Sequence, residues 1–337
     1  MRLRWWLSAP LIALLALGAA CSSDGDGDAT ATAAATAVAT EPATAAAATT
    51  AAAAAYPVTV TDQLGNAVTI EAAPQRIVAL SPTAVELVYA VGGTVVGRSA
   101  SADYPAAATS ATDVGTAYQP SLETILSLNA DLVIADKVIH AQPQLQAALA
   151  GLSMPVLYLG ADSYADVLDA LALIGAALDA RAQADAAIAA IATALTDAQE
   201  QIGDAEVSAV VLIADRDQTL YAAKANSYAG DLLAQAGITN AAADLPDAGP
   251  FPGYAAVAPE TLLQFDPDFI FTITPAPEPA PRLSTVIAMI PPFAGLAAVR
   301  DGQVVELDLV LFLQSPGPRV VDAIDALART VSGAAAP

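Results

Sequence analysis

Two glutamates occupy the same place in a segment that occurs twice in the chain. Residues 123–135 and 260–272 both begin with Glu-Thr, share four of their thirteen residues and end in a continuous apolar run. This change from spaced to continuous apolar positions predicts a short helix, a tight loop and a buried strand. A carboxylate in the first turn of a helix is stabilised by the helix dipole by about 0.3–1 kcal/mol, and an exposed one can also pair with a cation on a partner. The repeat predicts two lobes of similar build that present Glu123 and Glu260, although helix-loop-strand units of any α/β protein resemble one another.

One imidazole and one phenol stand at positions where binding proteins often place ligand contacts. The only histidine, His140, follows the predicted strand 131–136, and the carboxyl ends of strands are where α/β lobes hold their ligands. Tyr254 follows a Gly- and Pro-rich loop, residues 249–253. We expect the two side chains to face a cleft from opposite lobes. Both residue types are also common in plain structural roles, as a hydrogen-bonded loop residue and as a loop staple.

Short strands and helices that alternate along the chain must position these side chains. Strands are predicted at 58–62, 67–71, 76–80, 95–99, 131–135, 155–159, 207–214, 219–223, 268–273 and 303–307, and helices after Ser81 and Ser121 and over 144–150, 227–236 and 318–331. This alternation predicts an α/β fold with mainly parallel sheets.

The predicted domains follow from a change of pattern in the middle of the chain. Residues 163–204 are Ala-rich and helical in spacing, with one interruption near Gly175, so we expect a helical linker that contains a single long helix. It separates an N-terminal lobe, residues 56–162, from a C-terminal lobe, residues 205–337. The expected architecture is two Rossmann-like lobes joined by that helix, with a ligand cleft between them.

The charge and composition exclude some classes of function. The chain has 337 residues and a formal net charge of -23, which argues against nucleic acid as a partner because phosphates need clustered Lys and Arg. The 55% hydrophobic fraction is inflated by alanine. After the N-terminus there is no run of about 20 apolar residues, which a spanning helix needs.

The N-terminus predicts export and a lipid anchor. Residues 1–20 start with two arginines, continue as an apolar stretch and end in small residues, as secretory signal peptides do. The only cysteine, Cys21, follows at once and resembles the modified cysteine of a bacterial lipobox. Gly18 stands where that pattern usually has Leu, so an uncleaved membrane anchor is the alternative. Residues 21–55 are rich in Ala and Thr and are expected to be a disordered tether, which places the protein outside the cytoplasm, at the cell surface or in the periplasm.

Several segments in collinear order over about residues 57–332 resemble the ABC-importer substrate-binding lipoproteins for ferric siderophores, cobalamin and haem. The segments that carry the resemblance are 76–82, Tyr104-Pro105, the two glutamate repeats, 221–233 and the Gly317-Pro318-Arg319 helix start. The resemblance implies two α/β lobes, a ligand in the cleft, and a monomer that is not an enzyme and that works with a permease and ATPase complex. In that family a glutamate from each lobe pairs with permease arginines, and Glu123 and Glu260 match those places.

The resemblance also implies a choice of ligand. Some haem-binding members ligate the iron with a histidine and a tyrosine from corresponding segments, so haem is the first expected cargo, with His140 and Tyr254 axial to its iron. Relatives often carry an arginine two residues after the tyrosine, where this chain has Ala256. The other expected ligand contacts are Tyr104, Tyr118 and Arg98.

Other ligands and one other class of function stay open. The cations expected near a cleft, too few for a trianionic siderophore, are Arg98, Lys137, Lys224, Arg282 and Arg319. The absence of tryptophan from residues 21–337 weighs against cobalamin. A lipid-anchored ligand sensor fits the sequence too. An extracellular hydrolase is less compatible because no Gly-x-Ser-x-Gly occurs.

Overall fold

The computed structural model describes residues 56–204, 206–246, 248–277 and 279–333. The predicted signal peptide, Cys21 and the tether lie outside these residues. The described residues belong to one compact unit, so the boundaries proposed between lobes and linker stay predictions. None of the helices described is both long and apolar enough to cross a bilayer.

The strands are short and mostly lie where the apolar runs predict them. In chain order they are β1 (Val58–Thr61), β2 (Ala67–Ile70), β3 (Ile77–Ala79), β4 (Val95–Arg98), β5 (Thr112–Asp113), β6 (Gly115–Thr116), β7 (Gln119–Pro120), β8 (Leu132–Asp136), β9 (Val156–Leu159), β10 (Ser208–Ala214), β11 (Leu220–Ala223), β12 (Thr239–Asn240), β13 (Tyr254–Ala256), β14 (Phe269–Ile273) and β15 (Val304–Glu306).

The helices alternate with these strands. They are α1 (Pro82–Ala90), α2 (Leu122–Ser127), α3 (Pro143–Ala150), α4 (Tyr164–Ala177), α5 (Arg181–Ile202), α6 (Tyr228–Gln235), α7 (Pro259–Phe265), α8 (Leu283–Met289), α9 (Ala297–Arg300) and α10 (Val320–Ser332). Two 3₁₀ turns, Ala106–Ser110 and Pro291–Gly295, and one π-helical turn, Val310–Gln314, complete the regular structure described.

Each half of the chain builds its own sheet. The first is five-stranded and wholly parallel in the order β5, β4, β3, β8, β9. The second has the order β13, β11, β10, β14, β15, with β12 beside β10; β10, β12, β14 and β15 are mutually parallel, whereas β11 is antiparallel to both of its neighbours, β10 and β13. The α/β class and the two lobes are confirmed, and the second lobe is more mixed than the sequence suggests.

The repeat is a structural one. Asn129 and Asp266, which end α2 and α7, both adopt the left-handed conformation, with φ of 48° and 38°. Two residues later, Asp131 and Asp268 each accept hydrogen bonds from backbone N–H groups at the start of the neighbouring central strand, β3 or β10. These donors hold the pKa of Asp268 below its usual range. The two halves therefore present α2 and α7 in equivalent ways.

The linking region is helical and contains one long helix, α5. It begins with a second helix, α4, and the interruption expected near Gly175 falls at residues 178–180, where Asp179 has a φ of 55°. The two helices pack closely, since a Cβ on Gly175 would lie 2.5 Å from the Cβ of Ala184. The 22 residues of α5 span about 33 Å.

A continuous apolar core joins the lobes. One buried cluster includes residues of β3, β8, β10 and β14 together with α1, α4, α5, α6 and α10. The outer face of each sheet has a smaller cluster of its own. Burying one shared core across both lobes opposes large relative motion of the lobes.

Candidate functional site

Exposed aromatic and apolar side chains lie beyond the carboxyl ends of the first lobe's strands. Tyr104, after β4, is 48% exposed, Tyr118 at the tip of the β6–β7 hairpin is 65% exposed, and Val138, after β8, is 54% exposed. Open α/β sheets bind ligands at this edge, near the point where the strand order reverses, which here falls between β3 and β8. These side chains form the first wall of the candidate site.

The second lobe offers a cavity at the corresponding edge of its sheet. The cavity has a volume of about 480 Å³ and lies beyond the carboxyl ends of β14 and β15. Its lining residues include Thr274, Arg282, Glu306, Asp308, Leu309 and Val310. Glu306 accepts hydrogen bonds from the Thr272 hydroxyl at 2.6 Å and from the Ser284 N–H at 3.1 Å, so its carboxylate is held in place.

Residues 315–319 bring the two walls together. Arg319 lies over the ring of Tyr104, with its guanidinium carbon 4.4 Å from the ring centroid. The Ser315 hydroxyl donates to Glu86 of α1 at 2.7 Å. The same segment packs on Thr83, which lies 3.7 Å from where a Cβ on Gly317 would stand. Residues 315–319 thus run from the cavity wall to α1, and we take the space between the two walls as the candidate site.

The cations expected in this cleft are occupied by groups of the protein itself. Arg98 donates to the backbone carbonyls of the next two residues, Ser99 and Ala100. Lys137 pairs with Asp162 at 3.2 Å and Asp166 at 2.9 Å. Burial acts to lower the pKa of Lys137, but its hydrogen bond to Asp166 and the charges of both acids raise it overall.

The remaining three cations are engaged as well. Arg319 binds Glu86 through Nη2 at 2.6 Å and Nε at 2.9 Å, and this hydrogen-bonded carboxylate raises the pKa of Arg319. Lys224 is only 9% exposed, and both Lys224 and Arg282 interact with other groups. All five expected cations thus have partners within the protein, and for Lys137 and Arg319 these partners are carboxylates.

The structure does not present His140 to the cleft as the sequence analysis expects. The side chain is 0% exposed, and its Nδ1 accepts the N–H of Asp136 at 2.8 Å. Nε2 makes no hydrogen bond with any residue that the structure describes. The backbone after β8 folds back so that His140 closes the turn, because the His140 N–H donates to the Asp136 carbonyl at 3.0 Å. An axial role for His140 would require this turn to open.

His140 gives the protein a pH dependence that can be measured. Burial lowers its pKa, with Asp136 opposing the shift. The unfolded chain therefore binds a proton at this imidazole near pH 6.5, whereas the folded chain does not. The contribution of His140 to folding stability is fully present above that pH and is lost as the pH falls below it. We expect the free energy of unfolding to fall by up to about 1.4 kcal/mol per pH unit below pH 6.5, as measured by thermal or urea unfolding.

The control for this measurement is His140→Asn, whose side-chain oxygen can still accept from Asp136. His140 is the only histidine, so the variant should lose the stability change between pH 7 and pH 5. An unchanged profile in the variant would show that another group is responsible.

Tyr254, the second residue expected to bind the haem iron, is buried as well. Tyr254 sits in β13 and is 7% exposed, and burial raises its pKa to about 12, so it is a neutral phenol at physiological pH. No hydrogen bond joins Tyr254 and His140 in the part of the chain that the structure describes. That part of the chain also holds no group of three or more His, Cys, Asp or Glu able to bind a metal ion.

The two repeated glutamates are exposed on the first turns of α2 and α7. Ser121 caps α2, accepting the Thr124 N–H at 3.2 Å, and Pro259 opens α7. Neither Glu123 nor Glu260 forms an ion pair with a residue that the structure describes. Their exposure leaves both carboxylates available to a partner.

Sequence reasoning missed the role of Glu86. It is the one charged residue in the apolar helix α1, and it is 4% exposed. A lone acid among apolar neighbours is a signal for a buried partner, because acidic residues are seldom fully buried unless paired. Its partners could not be found from sequence, since they lie 229 and 233 residues away.

Two lobes, a cleft between them and a shared core define a two-lobed α/β binding protein. Residues 77–311 match the family described as "Periplasmic binding protein", and the chain belongs to that family. It is a substrate-binding protein of ABC importers and not an enzyme.

Relatives of known name fit this assignment. The chain is 27% identical over 283 residues to an uncharacterised ABC transporter substrate-binding lipoprotein, YvrC, of Bacillus subtilis, covering 82% of this chain and 86% of YvrC. It is 28% identical over 274 residues to a cobalamin-binding protein of Halobacterium salinarum, covering 79% and 72%. A periplasmic heme-binding protein of Pseudomonas aeruginosa superposes with a TM-score of 0.65 at 25% identity, covering 78% and 95%.

Proposed function

We propose that this protein captures a corrinoid such as cobalamin outside the cytoplasm and delivers it to an ABC importer. The choice of ligand rests on one observation, the interactions of the cationic side chains around the cleft. Each of the five expected cations already interacts with groups of the protein. Burying an anion without a counter-charge is unfavourable, so the cleft favours a ligand with little negative charge.

The candidate ligands differ in charge. Haem carries two propionates, and ferric catecholates are trianionic. Cobalamin carries neutral amides around its ring, and these donate and accept hydrogen bonds. Glu306 and Asp308 in the cavity wall offer acceptors for amide N–H groups, and they repel carboxylates. The name of the Halobacterium relative supports the same class of ligand.

The first wall of the cleft suits a large ring. Tyr104 and Tyr118 are exposed aromatic side chains, and aromatic faces bury large apolar area at low entropic cost. Tyrosine provides the flat contact area of this wall, since residues 21–337 contain no tryptophan. Haem, favoured in the sequence analysis, depends on His140 and Tyr254, and both are buried.

The remaining parts of the proposal concern location and partners. Cys21 would be lipidated and would tether the domain to the outer face of the cell membrane, in agreement with the name of YvrC. Glu123 and Glu260 would contact arginines of the permease. We propose that the protein acts as a monomer.

Isothermal titration with a ligand panel tests the proposal. Residues 22–337, which include the whole compact unit, are titrated with cyanocobalamin, hemin and a ferric catecholate. We expect cyanocobalamin to bind with a Kd of about 1 µM or tighter, roughly -8 kcal/mol, and more tightly than the two anions. Tightest binding of hemin, with a Soret shift that weakens in His140→Ala and in Tyr254→Phe, would overturn the corrinoid choice in favour of haem.

A pair of variants locates the binding surface in the same titration. Tyr118→Ala should weaken cyanocobalamin by about tenfold or more, because it removes an aromatic contact. Leu64→Ala, a truncation of another exposed apolar side chain in the β1–β2 turn, is the control and should have no effect. Equal effects of the two variants would remove the hairpin tip from the site.

A further inference from the structure

A buried ion pair ties the two lobes together beside the cleft. Glu86 Oε1 accepts from Arg319 Nη2 at 2.6 Å and from the Ser315 hydroxyl at 2.7 Å, and Oε2 accepts from Arg319 Nε at 2.9 Å. Glu86 belongs to the first lobe, whereas Ser315 and Arg319 belong to the second. We call these three residues the interlobe clasp.

The clasp has the geometry of a specific and strong contact. The guanidinium meets the carboxylate through two parallel N–H bonds, an arrangement that fixes distance and orientation together. The Glu86 side chain is 3% exposed and that of Arg319 is 19% exposed, so solvent screens the pair poorly. An ammonium group could supply the charge but not the two-pronged geometry.

The clasp reaches the cleft on the side of the first lobe. The Arg319 guanidinium stacks on Tyr104, which is 48% exposed at the first wall. A contact at this distance to an aromatic face is favourable. Glu86 therefore holds Arg319, and Arg319 in turn holds Tyr104 where a ligand would meet it.

The clasp also reaches the cavity of the second lobe. Val310 lines the cavity and begins the π-helical turn that ends one residue before Ser315. The Ser315 N–H donates to the Val310 carbonyl at 2.8 Å, so a single backbone hydrogen bond joins the cavity wall to the clasp. Single π-helical turns are frequent at functional sites.

We propose that Glu86 is a positioning residue: it fixes the separation of the two lobes, and hence the width of the cleft, by holding Arg319 and Ser315. The shared apolar core limits how far the lobes can move, and the clasp selects one separation within that range. Because α2 and α7 are carried by different lobes, the clasp also sets the spacing of Glu123 and Glu260.

Distances between spin labels test this proposal without any ligand, so the test is independent of the ligand proposed above. Labels are attached to Leu126→Cys and Leu263→Cys, exposed positions on α2 and α7, in residues 22–337, which lack the only native cysteine. Pulsed electron paramagnetic resonance then gives the interlobe distance distribution. We expect one narrow distribution in the parent.

In Glu86→Gln the distribution should broaden or shift by more than about 2 Å, the scale of an interdomain rearrangement. Arg319→Lys, which keeps the charge but not the paired hydrogen bonds, should do so to a smaller extent. Asp325→Asn removes the partner of Arg329 in an exposed ion pair on α10 and should leave the distances unchanged.

The proposal is overturned if Glu86→Gln and Arg319→Lys are folded by circular dichroism and keep the parental distribution. If Glu86→Gln does not fold, Arg319→Lys alone decides in the same way. A parental result would leave the choice of ligand untouched, because no ligand is present in the measurement.

Discussion

We expect ligand uptake to fall to background when Glu123→Lys and Glu260→Lys are combined, while the free energy of ligand binding stays within about 0.5 kcal/mol of the parent. Both carboxylates are exposed on the first turns of equivalent helices, one on each lobe. Truncating one partner of a buried interfacial charge pair costs about 2–5 kcal/mol, and reversing a charge adds repulsion. Two such losses would weaken docking roughly a thousandfold or more. The measurement is uptake of labelled ligand by cells that express the cognate permease, with titration of the purified variant beside it.

The matched control produces the same change in net charge at two other exposed acids. Glu71→Lys and Glu200→Lys also reverse two exposed acids, one in each half of the chain, without touching α2 or α7. Parental uptake in this control is expected. If the control lost uptake to the same extent, general charge would be the cause, and if the Glu123 and Glu260 variant lost ligand affinity, the docking role would be wrong.

Glu86→Ala should lower the free energy of unfolding by about 3–5 kcal/mol, the usual cost of removing one partner from a buried ion pair. The side chain is 3% exposed, and its loss leaves Arg319 charged and without its two-pronged acceptor. Urea unfolding at neutral pH measures the change. The effect is large because a protein domain has only about 5–15 kcal/mol of stability in total.

A double-mutant cycle separates the interaction energy of the Glu86–Arg319 pair from the cost of lost packing. Replacing both partners, as Glu86→Leu with Arg319→Met, should cost much less than Glu86→Ala alone, since no unpaired charge remains. Additive effects of the two single changes would contradict a coupled pair. Asp325→Ala, which removes an ion pair on the surface of α10, is the comparison, with an expected change of at most about 1 kcal/mol.

Local patterns in the sequence predict most elements of the fold because the physics that forms them is local. Ser81 and Pro82 open α1 as expected, with the Ser81 hydroxyl accepting the Ala84 N–H at 3.1 Å. The predicted helix-loop-strand repeat is present in both halves, and each copy has a left-handed residue in its loop, Asn129 or Asp266. The interruption in the linker is expected near Gly175, and it lies a few residues later because residues 178–180, where the chain turns, contain neither Gly nor Pro.

The candidate site was harder to predict because it depends on contacts between distant parts of the chain. His140 follows a strand end, as the sequence indicates, but the turn folds the imidazole inward onto the Asp136 N–H. The cations near the cleft could be counted from the sequence, whereas their partners could not. Glu86 meets Arg319 across 233 residues, and no local pattern specifies such a pair.

Hydrogen exchange in the presence of the tightest-binding compound of the titration panel tests the central claim, a ligand held between two lobes, most directly. The account predicts slower exchange in peptides from both walls, residues 115–120, 136–142 and 304–314, with α2 and α7 unchanged. Protection confined to one lobe, or protection of α2 and α7 instead of the facing edges, would contradict it.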